Sequence, residues 1–158
     1  MKKIILFSLC LFYFSSSYSQ DYKVYYDRGV SKTNLKDYRG AIIDYNKAIE
    51  LKPDFAEAYC NRGSSKSFLN DHIGGIADLN KAINIKPTLA DAYGYRGCAK
   101  YFLNDYSGAI TDLSKAIKLK PNLTEAYLYR GGAKSELKDY SGAILDYDEA
   151  IRIRPDYA

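Results

Sequence analysis

Residues 56–89 read AEAYCNRGSSKSFLNDHIGGIADLNKAINIKPTL, and the landmarks of this stretch return at a fixed interval. Arg62-Gly63 recurs as Arg28-Gly29, Arg96-Gly97 and Arg130-Gly131, and Pro87 has counterparts in Pro53, Pro121 and Pro155. Both series advance by 34 residues without slippage. A constant period of this length signals stacked copies of one supersecondary unit, each too small to bury its own apolar face. The chain therefore divides into units 22–55, 56–89, 90–123 and 124–157.

Within a unit, apolar and small residues recur at helical spacing. Ala58, Tyr59, Arg62-Gly63 and Lys66 mark one helix, and Ile76, Leu79, Ala82 and Ile83 mark a second. Between them stands Asn70-Asp71-His72, matched by Lys36-Asp37-Tyr38, Asn104-Asp105-Tyr106 and Lys138-Asp139-Tyr140. Asp37, Asp71, Asp105 and Asp139 are placed to cap the second helix of each pair, their carboxylates meeting its unpaired N–H groups. The first helices carry start signals too. Asp54, Thr88 and Asn122 follow the prolines, with Glu57, Asp91 and Glu125 three residues on, an acidic variation on the capping box. Each unit reads as helix, short turn, helix, then a proline-marked turn, and the fold class is all-α.

Glycine is periodic as well. Gly29, Gly63, Gly97 and Gly131 fall within first helices, and Gly40, Gly74, Gly108 and Gly142 at the start of second helices. Each costs a helix about 1 kcal/mol against alanine, so both sets are expected to mark close helix–helix approach. Ala48, Ala82, Ala116 and Ala150 supply the matching small surface. No GxGxxG or GxxxxGK[ST] phosphate loop is present.

Composition narrows the function classes. With 47% apolar residues in 158, the chain can bury one domain's core. The formal charge is +4, but without Lys2 and Lys3 there remain 21 basic against 19 acidic residues, and no Lys/Arg block occurs. A nucleic-acid partner is not expected. Seventeen tyrosines and no tryptophan point to layered packing or a contact surface. Residues 1–19 have the layout of a secretory signal: Lys2-Lys3, an apolar run from Ile4 to Phe14, then Ser15-Ser16-Ser17-Tyr18-Ser19. The apolar run is too short for a comfortable bilayer span. Cleavage before Gln20 is the expectation, with an uncleaved anchor as the alternative; Phe7-Ser8-Leu9 before Cys10 matches a lipobox poorly.

The repeated residues resemble the tetratricopeptide (TPR) repeat, a 34-residue helix-turn-helix unit. In the second copy the match runs through Tyr59, Gly63, the small residue Gly75, Leu79, Ala82 and Pro87, with Ala41, Ala109 and Ala143 standing where Gly75 does. The resemblance covers residues 22–157. It departs from the family at Arg28, Arg62, Arg96 and Arg130, where apolar residues are usual, and at Lys32, Lys66, Lys100 and Lys134, where aromatics are usual. The arginines should lie level with Asp44, Asp78, Asp112 and Asp146 on the second helices, predicting four Arg–Asp pairs. The lysines are expected to run their stems over apolar surface with the ammonium in water.

The resemblance implies a right-handed α-solenoid whose first helices line a concave groove, where relatives bind a peptide or another protein. Spacings of three and four give the groove positions. These are Tyr26, Asp27 and Val30, then Asn61, Ser64 and Phe68, then Asp91, Tyr95, Cys98 and Tyr101, then Glu125, Tyr129 and Gly132. Some relatives grip acidic C-terminal tails with a Lys/Asn/Arg clamp. Asn61 matches one position of it, but Tyr26, Val30, Asp91 and Tyr95 stand where others are needed, so an acidic tail is not the expected ligand. Gly94, Cys98 and Gly132, ringed by Tyr95, Tyr101 and Tyr129, could form a notch for a partner's apolar side chain, or the tyrosines could simply cover the glycines.

His72, the only histidine, takes a turn position filled elsewhere by tyrosine and reads as a packing variant. Cys60 and Cys98 should face the groove at different heights, without a disulfide. No nucleophile–base pair, metal cluster or convergent acids appear, so neither catalysis, a cofactor nor a metal is expected. The sequence thus points to an exported scaffold that docks a protein or peptide. A carbohydrate or small-ligand binder using the tyrosine notch is one alternative. Another is a self-assembly module: Tyr140, Ile144, Tyr147 and Ile151 lack an evident cover, predicting end-to-end dimerisation or a longer array.

Overall fold

The computed structural model describes residues 21–157; the proposed signal segment lies outside them. Eight α-helices follow one another: α1 (21–34), α2 (Tyr38–Leu51), α3 (Ala56–Phe68), α4 (His72–Ile85), α5 (Ala90–Phe102), α6 (Tyr106–Leu119), α7 (Thr124–Glu136) and α8 (Tyr140–Ile153). A short 3-10 turn, Pro155–Tyr157, ends the described chain. Among the described residues there are no strands, and no helix is long and apolar enough to cross a membrane. Hairpins α3–α4, α5–α6 and α7–α8 pack as pairs, and α3, α5 and α7 also touch in succession, so first helices form one continuous side of the stack.

The second helices begin as their sequence predicts. Asp37, Asp71, Asp105 and Asp139 each accept the backbone N–H three residues on, at 2.9–3.0 Å. That residue is always a glycine, and a β-carbon there would fall 2.1–2.2 Å from the capping carboxylate. Gly40, Gly74, Gly108 and Gly142 are therefore cap residues, not the helix–helix contacts expected of them. The first helices also start differently. Their N-caps are Phe55, Leu89 and Leu123, without a side-chain cap. The post-proline turn closes through Phe55 N–H to the Lys52 carbonyl, and likewise Leu89 to Lys86, which leaves Asp54 and Thr88 one residue too early to cap. Phe55 is held instead by Tyr22 and Tyr26, with ring centroids 5.1 and 4.8 Å away.

The four turns inside the hairpins place Lys36, Asn70, Asn104 and Lys138 at φ of 60–66°. The following N–H then reaches back to the helix, as Asp71 does to the Lys66 carbonyl at 3.0 Å, closing a Schellman-type end. Close approach occurs at the first-helix glycines. A β-carbon on Gly63 would lie 2.8 Å from the Gly75 carbonyl oxygen and 2.9 Å from Leu79 Cγ; one on Gly97 would meet Leu113 Cγ at 2.6 Å. Leu79, Leu113, Tyr45 and the periodic alanines of both helices fill the core around these contacts.

Each hairpin is also tied by charge. The guanidinium forks of Arg62, Arg96 and Arg130 hold Asp78, Asp112 and Asp146 through Nε and Nη2 at 2.5–2.9 Å, and Arg28 holds Asp44 in the same way. The expected Arg–Asp ladder is present. The lysines differ from expectation: Lys32, Lys66, Lys100 and Lys134 place Nζ 2.8–2.9 Å from the same aspartates. They follow the arginines by four residues and so share their helix face. A carboxylate buried to this depth has acceptor sites for both cations. The third fork nitrogen joins repeats, since Nη1 of Arg62, Arg96 and Arg130 donates to Asn46, Asn80 and Ser114 on the preceding second helix. Each guanidinium also lies 5.1–5.5 Å from the ring centroid of the tyrosine three residues earlier.

Candidate functional site

The first-helix side of the stack contains a cavity of about 540 Å³ between α3, α5 and α7. Its floor is Ser64, Gly94, Cys98, Ala99 and Ala126; Phe68, His72, Tyr95, Phe102 and Tyr129 form aromatic walls; Asp91 and Glu125 stand at the edge. Helical spacing explains the convergence. Asp91, Gly94, Tyr95 and Cys98 occupy one face of α5, while Ser64 and Phe68 do so on α3 and Glu125 and Tyr129 on α7.

The two glycines of the anticipated notch part company. Gly132 is covered by Tyr101, whose ring would meet a β-carbon there at 3.3 Å, and neither residue lines the cavity. Gly94 is open: a β-carbon would find only Ala116 Cβ, at 3.9 Å. The absent side chain at Gly94 thus leaves a depression beside Tyr95 and Tyr129. Tyr101 packs edge-on against Phe102, Tyr106 and Tyr129 at 5.6–5.7 Å, acting as a support behind the wall.

The first repeat contributes less. Tyr26 accepts a 3.1 Å hydrogen bond from Asn61 Nδ2, so these two groove positions satisfy each other. Asp27 and Val30 lie on α1 away from the cavity. Cys60, expected on the groove, is buried with Leu79, Ala82, Ile83 and Ala92, because its position on α3 turns toward the second helix. Phe102 is not among the groove positions expected from sequence, whereas His72 packs as a variant of the repeated tyrosine, stacking on Phe102 as Tyr38 does on Phe68. The His72 and Phe102 rings stack at 5.2 Å with an 8° interplanar angle, and both face the cavity. Phe102 could have been found, since it stands 34 residues after Phe68.

Ionisable groups of the cavity are held neutral or paired. Burial raises the Tyr95 hydroxyl to about 12, helped by nearby Cys60 and Asp91. Burial likewise raises Cys98 to about 12, with Glu125 adding to the effect, and pushes the Cys60 thiol up further. Such thiols are neutral and poor nucleophiles at physiological pH. Both cysteines are free. Cys60 and Cys98 are expected to react with a thiol reagent at neutral pH only after unfolding; fast labelling of either in the native protein would contradict this. Asp91 and Glu125 face Lys120 and Arg154 at 3.4 and 3.3 Å, so the edge is acidic but partly neutralised. Among the described residues no three His, Cys, Asp or Glu side chains group as metal ligands.

Known proteins provide independent comparison. A TPR repeat family model matches residues 23–65, and a second, tetratricopeptide repeat, matches 56–89, 90–123 and 124–157. No curated protein matches the chain. Among solved structures, one described as MamA is 28% identical, with a TM-score of 0.71 over 80% of this chain and 74% of that one. The first TPR of Spaghetti (RPAP3), bound to the HSP90 peptide SRMEEVD, is 26% identical, with a TM-score of 0.72 over 76% and 95%. The TPR domain of Arabidopsis OM64 is 27% identical, with a TM-score of 0.70 over 73% and 95%. With the 34-residue period, the paired helices and the family matches in agreement, the chain belongs to the tetratricopeptide repeat family.

Proposed function

We propose that this protein is an exported scaffold that docks an extended polypeptide along its first-helix side, seating one large apolar or aromatic side chain at Gly94. The observation that carries this reading is the uncrowded Gly94, where a β-carbon would meet only Ala116 Cβ at 3.9 Å, in the lining of a cavity walled by Tyr95, Phe102 and Tyr129. A cavity of this size with a small-residue floor, aromatic walls and a few polar groups suits a side-chain anchor. The RPAP3 domain holds a peptide on the same kind of scaffold, but that peptide is acidic. Asp91 and Glu125 oppose such a ligand here, favouring a neutral or basic segment. The carbohydrate alternative has less support, because the neighbouring wall rings Phe102 and Tyr129 meet edge-on, at 64°, and give no joint flat platform. Docking requires no chemistry, consistent with the neutral thiols. Export rests on residues 1–19, and mass spectrometry of the native protein should find Gln20 as its first residue.

The binding test uses two substitutions at one position. Gly94→Phe fills the depression from within, whereas Gly94→Ala leaves most of it free. In selection from a displayed peptide library, the wild-type protein should enrich peptides with a large apolar residue and no acidic run. Gly94→Phe should weaken the best of them at least about tenfold, the scale of one lost anchor, with its thermal transition intact. Equal binding by Gly94→Phe would overturn the reading.

A further inference from the structure

The arginine forks that join one repeat to the next reveal a second contact surface, independent of the cavity. In every internal joint, Nη1 of the incoming arginine donates to one position on the preceding second helix: Asn46, Asn80, then Ser114. One period further along, that position is Asp148 on α8, exposed and without an ion pair among the described residues. At the opposite end of the stack, Arg28 uses Nε and Nη2 on Asp44, and its side chain is 54% exposed, against 17–18% for Arg62, Arg96 and Arg130. One end therefore carries an uncommitted acceptor and the other a cation with donor capacity to spare.

The apolar surfaces around them correspond in the same way. Tyr106, Ile110 and Ile117 of α6 pack against a core cluster that includes Ala126 and Ala133 of the following repeat. Their equivalents on α8, Tyr140, Ile144 and Ile151, are 44–60% exposed. On α1, Val24 stands where the fully packed Ala58, Ala92 and Ala126 stand, and is 63% exposed. We infer that a second copy of this chain docks head-to-tail, its α1 laid on α8 so that Arg28 meets Asp148 and the 34-residue register continues across the joint. Charge complementarity favours a copy of this chain as the occupant. The internal joints use neutral Asn or Ser, while this joint pairs a full positive charge with a full negative one. Because the two surfaces differ, the contact is heterologous and leaves a free end of each kind after every addition.

Two surface substitutions test this without touching the core. Asp148→Arg sets like charges against Arg28 and should reduce association at least about tenfold; Val24→Glu blocks the α1 face. In sedimentation velocity, the unaltered protein should form a concentration-dependent series of oligomers that shortens with added salt. Each variant alone should stop as a monomer, and an equimolar mixture should give a dimer and nothing larger, since one intact end of each kind remains. Asp148→Asn, which restores the internal chemistry of Asn46 and Asn80, should still associate. A monomeric unaltered protein at several hundred micromolar would overturn the inference. So would a Val24→Glu variant that dimerises by itself, which would mean an α8-to-α8 contact instead.

Discussion

Asp112→Ala is expected to lower the unfolding free energy by about 3–5 kcal/mol, the cost of leaving a buried pair half-broken, and the thermal midpoint by roughly 10 °C for a domain of this size. Asp112 is 3% exposed and holds three contacts: Arg96 Nε at 2.8 Å, Arg96 Nη2 at 2.6 Å and Lys100 Nζ at 2.8 Å. Removing it strands two cations that are themselves largely covered, and it frees the guanidinium that also reaches back to Asn80. Both the α5–α6 hairpin and its joint with α4 therefore weaken. A loss below about 1 kcal/mol in urea unfolding, typical of an exposed pair, would contradict the ladder's structural role. The same ladder sets an acid limit. At Asp44 the Arg28 fork, outweighing burial and aided by Lys32, holds the carboxyl below its ordinary value. At Asp146 burial pushes upward, but Arg130 and Lys134 together win and the carboxyl is again lowered. Carboxylates lowered by folding contribute stability above the unfolded value near 3.8, and lose it as pH falls through their folded values. Stability should thus decline from about pH 4 downward, where denatured-state carboxylates begin to bind protons.

Gly63→Val is the second large effect, about 3 kcal/mol of destabilisation, at the upper end of overpacking costs. A β-carbon there meets a backbone carbonyl, Gly75 O at 2.8 Å, as well as Leu79, and a carbonyl fixed in the first turn of α4 cannot move aside. The added methyls of valine deepen the clash. Gly94→Ala is the control, with the opposite sign. Its β-carbon has ordinary contact only, so the gain in helix propensity, about 1 kcal/mol, should appear as added stability. Chemical unfolding of both variants separates a glycine kept for packing from one kept open. If Gly63→Val were as stable as the unaltered chain, the close approach of α3 and α4 would be contradicted.

The contrast between these glycines shows which features sequence makes legible. The period, the hairpins, the caps at Asp37, Asp71, Asp105 and Asp139, and the Arg–Asp pairs could all be read, because each depends on spacing within one repeat. Lys66 and its equivalents were misassigned because their environment depends on how deep Asp78 lies, a tertiary fact invisible to local pattern. The starts of α3, α5 and α7 shifted by one residue for a related reason: turn closure at Lys52 and Lys86 outweighs the local preference of Asp54 and Thr88 for a cap. In the cavity, Gly94 and Gly132 look alike in sequence. Only the reach of Tyr101 over Gly132 tells them apart. His72 stacks on Phe102 of the next repeat as Tyr38 does on Phe68, a contact between repeats that spacing within one helix does not encode.

Docking at Gly94 is most directly tested by a photo-reactive benzoylphenylalanine placed at Tyr95, beside the depression, or at Ile43, exposed on α2. Irradiation in the presence of a library-selected peptide should give a crosslink from position 95 that Gly94→Phe abolishes, and none from position 43. Crosslinking from position 43 alone, or from position 95 undiminished by Gly94→Phe, would place the polypeptide elsewhere on the molecule.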